Sequence, residues 1–225
     1  MNISFLTKTV LFRGIEADEL ETLLDCLKAE RKVYGKGETV YHAGDSVQAL
    51  GMVLAGSVRI ESDDVWGNKS ILDQIGPGQV FAETYACIPS EPLMVSVIAA
   101  GDAEILFLNT GRMLHSCSSA CPFHSKLIRN LLAVSSQKNL NLSRRIFHTS
   151  SKSIRGRLLS YLSFQAARQG SFEFSIPFNR QQLADYLSVD RSALSNELSR
   201  MQKDGLLTVE KNHFVLEQVN EDWKA

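Results

Sequence analysis

Between Asn179 and Met201 the chain sets out two short amphipathic segments whose polar residues are of the kinds that make paired hydrogen bonds. Leu183, Ala184 and Leu187 recur at helical spacing in the first, and Leu194, Leu198 and Met201 at i, i+4 and i+7 in the second. Val189 falls in the short turn between them. With those positions turned inward, Arg191, Ser192, Ser195, Asn196 and Ser199 share one outward side, just after Asp190, a residue suited to cap a helix N-terminus. Chemically, a guanidinium spans the two acceptors of a guanine edge, and a carboxamide matches the acceptor and donor of adenine. The N-terminal part of such a helix is what enters a major groove. The same pattern also fits a helix pair whose outer face is merely polar; the rest of the chain has to decide between them.

Charge weighs on that choice. Nine Lys and Arg stand against sixteen Asp and Glu before Pro122, and fifteen against nine from Pro122 onward, so a net −1 conceals halves of −7 and +6. Only the C-terminal half is suited to a polyanion, because neutralised phosphates supply most nonspecific nucleic-acid affinity.

A chain of 225 residues, 44% hydrophobic and 22% charged, has the composition of a globular protein of one large domain or two smaller ones. No apolar run reaches the roughly 18 to 20 residues of a membrane span, and the first residues lack a basic start followed by an apolar stretch, so the expected location is the cytoplasm. Cys26, Cys87, Cys117 and Cys121 are expected as free thiols, since a core this size needs no disulfides. An enzyme is not expected. Metal-dependent oxygenases on small barrels need a His-x-His with further ligands, whereas the β-rich region carries only His42. A Gly-x-Ser-x-Gly, a phosphate loop and a zinc-protease helix are likewise missing.

The elements that must position the recognition residues follow from periodicity. Ile15, Leu20, Leu23, Leu24 and Leu27 predict a helix within 16–30. From Val33 to Leu108 short β-prone stretches, Thr39–Tyr41, Ser57–Ile60 and Glu104–Leu108 among them, are punctuated by Gly37, Gly44, Gly56, Gly67 and Gly76, the texture of a small antiparallel barrel or jelly roll. Phe123 to Phe147 contains neither Gly nor Pro and is apolar along two stripes: Leu127, Leu131 and Val134 on one, Ile128, Leu132, Leu142 and Ile146 on the other. A long helix apolar on two sides buries one on its own barrel and one on a second copy, or lies wholly inside a core. Thr149 to Ser153 breaks the pattern as a hinge. Beyond it, a helix around Ile154–Leu162, an alternating strand at Phe172–Ile176, the helix pair, and a hairpin of Leu206–Val209 with His213–Leu216 across Lys211-Asn212 make a winged-helix layout.

On these residues the chain resembles the cyclic AMP receptor protein/FNR (CRP/FNR) family of bacterial regulators over nearly its whole length. Arg180-Gln181 through Arg191 and Asn196 resembles that family's helix-turn-helix, with Ser188 where the family usually has Gly; Gly44-Asp45, Gly56-Ser57-Val58, Gly76-Pro77-Gly78 and Phe81-Ala82-Glu83 resemble its sensor barrel. The resemblance implies an α+β chain: an N-terminal antiparallel β-roll or jelly-roll sensor over 1–121, a dimerisation helix over 122–148, and a winged helix-turn-helix over 149–225. It further implies a homodimer that binds double-stranded DNA at a pseudo-palindromic operator and works with RNA polymerase. Arg191, Ser192, Ser195 and Asn196 would read bases, and Asn179, Arg180, Gln181 and Arg200 would hold phosphates.

The same resemblance bears on the effector. Nucleotide-binding members grip the ribose and cyclic phosphate with Gly-Glu and, ten residues on, Arg-Ser; here Glu83 remains, but Ala82 replaces the Gly and Leu93-Met94 the Arg-Ser. A buried phosphate without its countercharge costs several kcal/mol, so cyclic AMP is not the expected ligand. The family's base-contacting Thr-Ser falls at Leu142-Ser143. The expected effector pocket comprises Glu83, Tyr85, Leu93, Met94, Leu142 and Ser143, with the small-molecule effector and any cofactor unidentified. Two alternatives remain open: a redox or metal-sensing member using Cys117 and Cys121, with His115 and His124 nearby, and a signalling module whose helix-turn-helix binds protein.

Overall fold

The protein is described here by a computed structural model covering residues 2–67, 69–114 and 122–217. It divides into two compact units, Met1–Gln137 and Lys138–Ala225, so that one long helix contributes to both.

The first unit runs α1 (Ile3–Leu6), α2 (Ala17–Cys26), β1 (Glu30–Tyr34), β2 (Thr39–Tyr41), β3 (Ala49–Ala55), β4 (Val58–Asp63), β5 (Lys69–Ile75), β6 (Val80–Phe81), α3 (Glu83–Cys87), β7 (Ser96–Ala99), β8 (Ala103–Asn109), α4 (Thr110–Leu114) and the start of α5 (Pro122–Thr149). Two antiparallel sheets, ordered β1-β8-β3-β6 and β2-β7-β4-β5, form the β-roll that the glycine spacing predicts. The central pair β3 and β8 is covered on both faces. Ile105 and Phe107 join Val53, Val58 and Phe81 inside the roll, while Leu106 and Leu108 pack with Leu50, Met52 and the leucines of α2 on the other side. That double coverage explains the continuous apolar run Ile105–Leu108, where a half-exposed strand would alternate. Close packing also dictates two glycines. A Cβ on Gly51 would lie 2.1 Å from the Phe81 ring, and Gly56 turns β3 into β4 with φ +73° against the Asp102 carbonyl.

Leu127 and Leu131 on α5 are buried in the same core, whereas Leu132, Leu142 and Ile146 stay more than half exposed. Asn130 ties α5 to the chain start by donating to the carbonyls of Leu11 and Arg13, each at 2.9 Å. The short helices α1, α3 and α4 carry too few residues to show a period, and the sequence reading did not include them. Before α3, Ala82 takes a left-handed conformation, φ +59°, in which a Cβ crowds the following carbonyl.

The second unit holds the last turns of α5, then α6 (Ile154–Gln169), β9 (Glu173–Ser175), α7 (Arg180–Leu187), α8 (Arg191–Lys203), β10 (Leu207–Glu210) and β11 (His213–Leu216), the strands ordered β10-β11-β9. This is the winged-helix layout. Its core joins Leu158, Tyr161 and Leu162 of α6 to Leu183, Leu187, Leu194, Leu198, Met201 and Phe214. His148, near the end of α5, is 1% exposed, with Nδ1 3.0 Å from the Ser160 hydroxyl and Nε2 without a hydrogen-bond partner among the described residues. Burial first, and the charge of Arg144 second, push its pKa below the ordinary 6.5.

Two outcomes follow from this packing. Ala82→Gly relieves a left-handed strain of about 1 to 2 kcal/mol, partly offset by the greater freedom of glycine in the unfolded chain, so a net gain of about 0.5 to 1 kcal/mol is expected in urea denaturation; an unchanged or lowered midpoint contradicts it. For His148, the unfolded chain takes up the proton more readily than the folded one. Its contribution is therefore complete above the unfolded pKa and is lost as pH falls through it. Stability of the wild-type chain should drop from pH 7 to pH 5, and His148→Gln should flatten that slope; equal slopes in the two proteins refute the assignment.

Candidate nucleic-acid interface

The interface is built on two capped helices. Asn179 caps α7 in a reciprocal box: its side chain accepts from the Gln182 amide at 2.9 Å, and the Gln182 side chain accepts from the Asn179 amide at 2.8 Å. Asp190 caps α8 as expected, with Oδ1 accepting from the amides of Ser192 and Ala193 at 2.8 and 2.9 Å and also from the Ser192 hydroxyl. Those donors, the Ser192 hydroxyl foremost and then the Ala193 amide, hold the Asp190 carboxyl below its usual range. Between the helices Ser188 adopts φ +53°, the left-handed conformation for which the family's glycine is suited.

The inward residues are placed as their spacing requires. Leu183, Ala184, Leu187, Leu194, Leu198 and Met201 are all at most 2% exposed, and Val189 packs against their cluster from the turn. On the outside, Arg191 and Asn196 are exposed, and among the described residues neither side chain has a hydrogen-bond or ion-pair partner. The serines differ. Ser192 donates to Asp190, Ser195 to the Arg191 carbonyl at 2.9 Å, and Ser199 to the Ser195 carbonyl at 3.1 Å. Their protons are committed within the helix, so what they offer outward is oxygen lone pairs.

The residues expected to hold phosphates are spread more widely. Gln181 is exposed and donates to Asp185 at 2.8 Å. Arg180 is half-buried, and its guanidinium donates to the Lys211 carbonyl at 3.4 Å, beside the wing turn; burial lowers its pKa. Arg200 is exposed and lies 3.7 Å from Glu197, one turn back on α8.

Three arginines that sequence reasoning missed hold this arrangement. Arg155 on α6 meets Glu197 at 2.6 Å and Asp204 at 2.7 Å, pinning the flank and the end of α8. Arg157 donates to the carbonyls of Leu187 and Ser188, each at 2.9 Å, and Arg145 to those of Asp185 and Tyr186 at 3.0 and 3.2 Å. Helix ends leave carbonyls unpaired, and cations favour that end of the dipole. In sequence these arginines are merely basic residues 30 to 49 positions from their acceptors, so no local signal identifies them.

The expected effector residues are divided between the two units. In the first unit Glu83 and Leu93 are buried at 4% and 3%, Leu93 within the helix-facing core, and Tyr85 is half-buried. Met94 is 79% exposed. It therefore faces solvent and does not line an apolar pocket, a correction to the sequence reading. Leu142 and Ser143 lie exposed on the part of α5 that belongs to the second unit. Cys117, Cys121 and His115 fall outside the described residues. Cys26 Sγ is 3.8 Å from His124 Nε2, and burial pushes the exposed-side Cys87 thiol up. Among the described residues no group of three His, Cys, Asp or Glu is arranged to hold a metal ion, and no helix is long and apolar enough to cross a membrane.

Comparison with known proteins agrees with this geometry. Residues 31–119 match the cyclic nucleotide-binding domain family, and residues 156–221 match the Crp-like helix-turn-helix domain family. The cyclic AMP receptor protein of Thermus thermophilus is 31% identical over 98 residues, 44% of each chain. Electron transport regulator A of Shewanella oneidensis is 24% identical over 213 residues, covering 90% of this chain and 80% of its own. The crystal structure of the Thermus thermophilus catabolite activator protein superposes with a TM-score of 0.51 at 24% identity, over 93% of this chain and 94% of that one, a likeness of fold. With a β-roll of the cyclic nucleotide-binding kind followed by a long helix and a Crp-like DNA-binding helix-turn-helix, the chain belongs to the CRP/FNR family of transcription regulators.

Proposed function

We propose that this chain is a homodimeric, sequence-specific regulator that docks α8 of each copy into successive major grooves of a pseudo-palindromic operator and answers to an effector other than cyclic AMP. One observation carries the DNA reading. Arg191 and Asn196 are exposed, have no partner within the chain among the described residues, and project from a helix whose opposite side is sealed. Groups left unpaired on a rigid element lose little on pairing with base edges. Asn179, Arg180, Gln181 and Arg200 would hold the backbone, with Ser192 and Ser195 accepting from base amino groups.

Dimerisation is supported by the exposed apolar stripe of α5, where Leu132, Leu142 and Ile146 are 61 to 68% exposed on a helix whose other stripe is already buried. Two such stripes together remove apolar area worth about 25 cal/mol per Å². Family membership supports RNA polymerase as the protein partner and the cytoplasm as the place of action.

The case against cyclic AMP is electrostatic. The position where the family resemblance places a phosphate-binding Arg is Leu93, which is buried among apolar side chains, and the neighbouring Met94 points to solvent. A cyclic phosphate buried there would have no cation supplied from these positions to offset its desolvation.

Both parts can be tested on the full-length protein. In binding-site selection, Arg191→Ala should weaken binding by about 1 to 3 kcal/mol and relax the choice at one base pair in each half-site, with duplex affinity falling steeply as salt rises; an unchanged selected motif, or affinity indifferent to salt, refutes the DNA assignment. Cyclic AMP titrated in a calorimeter should release no binding heat, and a micromolar isotherm would overturn the effector reading.

A further inference from the structure

The second unit contains a cleft of about 280 Å³ that shares no residue with the proposed DNA-contacting set. Its walls are rings: Tyr161 and Phe164 of α6, Phe178 of the segment before α7, and Tyr186 of α7. Tyr161, Phe178 and Tyr186 pack mutually, with centroids 5.1 to 6.0 Å apart. Two cations stand at the same cleft. Arg144, from the last turns of α5, lies over the Phe164 ring at 5.5 Å, and Arg168 lies on α6 one turn beyond Phe164 and Gln165. Among the described residues neither Arg144 nor Arg168 forms an ion pair with a carboxylate.

In the wall of this cleft the Tyr161 hydroxyl is sealed from solvent beside Gln165, without a hydrogen bond of good geometry among the described residues. Burial, with the neighbouring Tyr186 contributing, pushes its pKa to about 12, so it is a neutral donor at physiological pH. A weakly satisfied buried donor gains from an acceptor brought up to the cleft wall. The volume sits at the lower limit of small-molecule pockets, which favours a compact ligand. Offset stacking on aromatic walls favours a planar ring, and a guanidinium pair favours an oxyanion that it can grip bidentately.

From these features we infer that the cleft binds a small aromatic carboxylate, its ring among Phe164, Phe178 and Tyr186 and its carboxylate between Arg144 and Arg168. The site would connect elements on both sides of the 150–153 loop, because Arg144 precedes that loop while Arg168 and Tyr186 follow it. A ligand held by all three favours one setting of the loop, and any differential affinity for the two settings becomes a change in operator binding. That regulatory consequence rests on the DNA-binding function proposed above; binding of the acid itself does not.

The test is calorimetric titration of the full-length protein with benzoate, salicylate and indole-3-acetate. Cyclohexanecarboxylate serves as an equally charged acid without a π face, and benzamide as a ring without charge. At least one aromatic acid should bind with one site per chain, tenfold or more tighter than either control. Arg144→Gln and Arg168→Gln should each weaken it at least tenfold while leaving the urea midpoint within error of wild type, and Tyr161→Phe should weaken it several-fold. No heat from any acid at millimolar concentration, equal binding of the two controls, or undiminished binding by the double Arg144→Gln/Arg168→Gln protein would overturn the site. Operator titrations with and without the bound acid then read the coupling separately: an altered affinity supports the effector role, and an unaltered one removes it.

Discussion

The turn between α7 and α8 has to be tight, and tightness leaves carbonyls without partners. Ser188 achieves the reversal by going left-handed, and the carbonyls of Asp185, Tyr186, Leu187 and Ser188 are taken up by the guanidinium groups of Arg145 and Arg157. Because those arginines come from α5 and α6, the angle between the two helices is set by elements outside the motif. The outer face of α8 is thereby presented in one orientation. Arg155, gripping Glu197 and Asp204, constrains the same helix from its flank. These contacts are largely exposed, where single ion pairs contribute modestly to stability; their value lies in geometry, since a reading helix displaced by an ångström loses the alignment that bidentate pairing requires.

Burial does the complementary work. Leu194, Leu198 and Met201 are closed off, so the helix cannot roll without exposing its apolar side, and every polar residue opposite them faces outward. The division of labour on that outer side is finer than residue type suggests. Serine hydroxyls satisfy their own helix first, a familiar competition between side chain and backbone, and this leaves Arg191 and Asn196 as the groups with donors to spare.

In the first unit the corresponding constraint is the pair of strands covered on both faces. β3 and β8 form the wall shared by the roll interior and by the helices that pack outside it. The start of α5 belongs to that outer layer, through Leu127 and Leu131, while its last turns belong to the second unit through Arg145 and His148. One continuous helix is thus a structural member of both compact units.

Much was legible in the sequence because it follows from short-range periodicity. The two apolar stripes of α5, the inward leucines of α7 and α8, the Asp190 cap, the glycine-punctuated roll and the hairpin across Lys211-Asn212 all depend on neighbours within a few residues, and a single chain records such spacing directly. The outcome at Met94, exposed where an inward position was expected, was not legible, since it lies in a bend just before β7, where no strand alternation fixes which side chains turn inward. Nor were the arginines that hold the α7–α8 turn, the ring-lined cleft beside Arg144, or the commitment of the serine hydroxyls. Each of these depends on which atoms meet across 30 or more positions of chain, or on which of two available partners a group takes. Residue type alone leaves those choices open, and only the folded arrangement decides them.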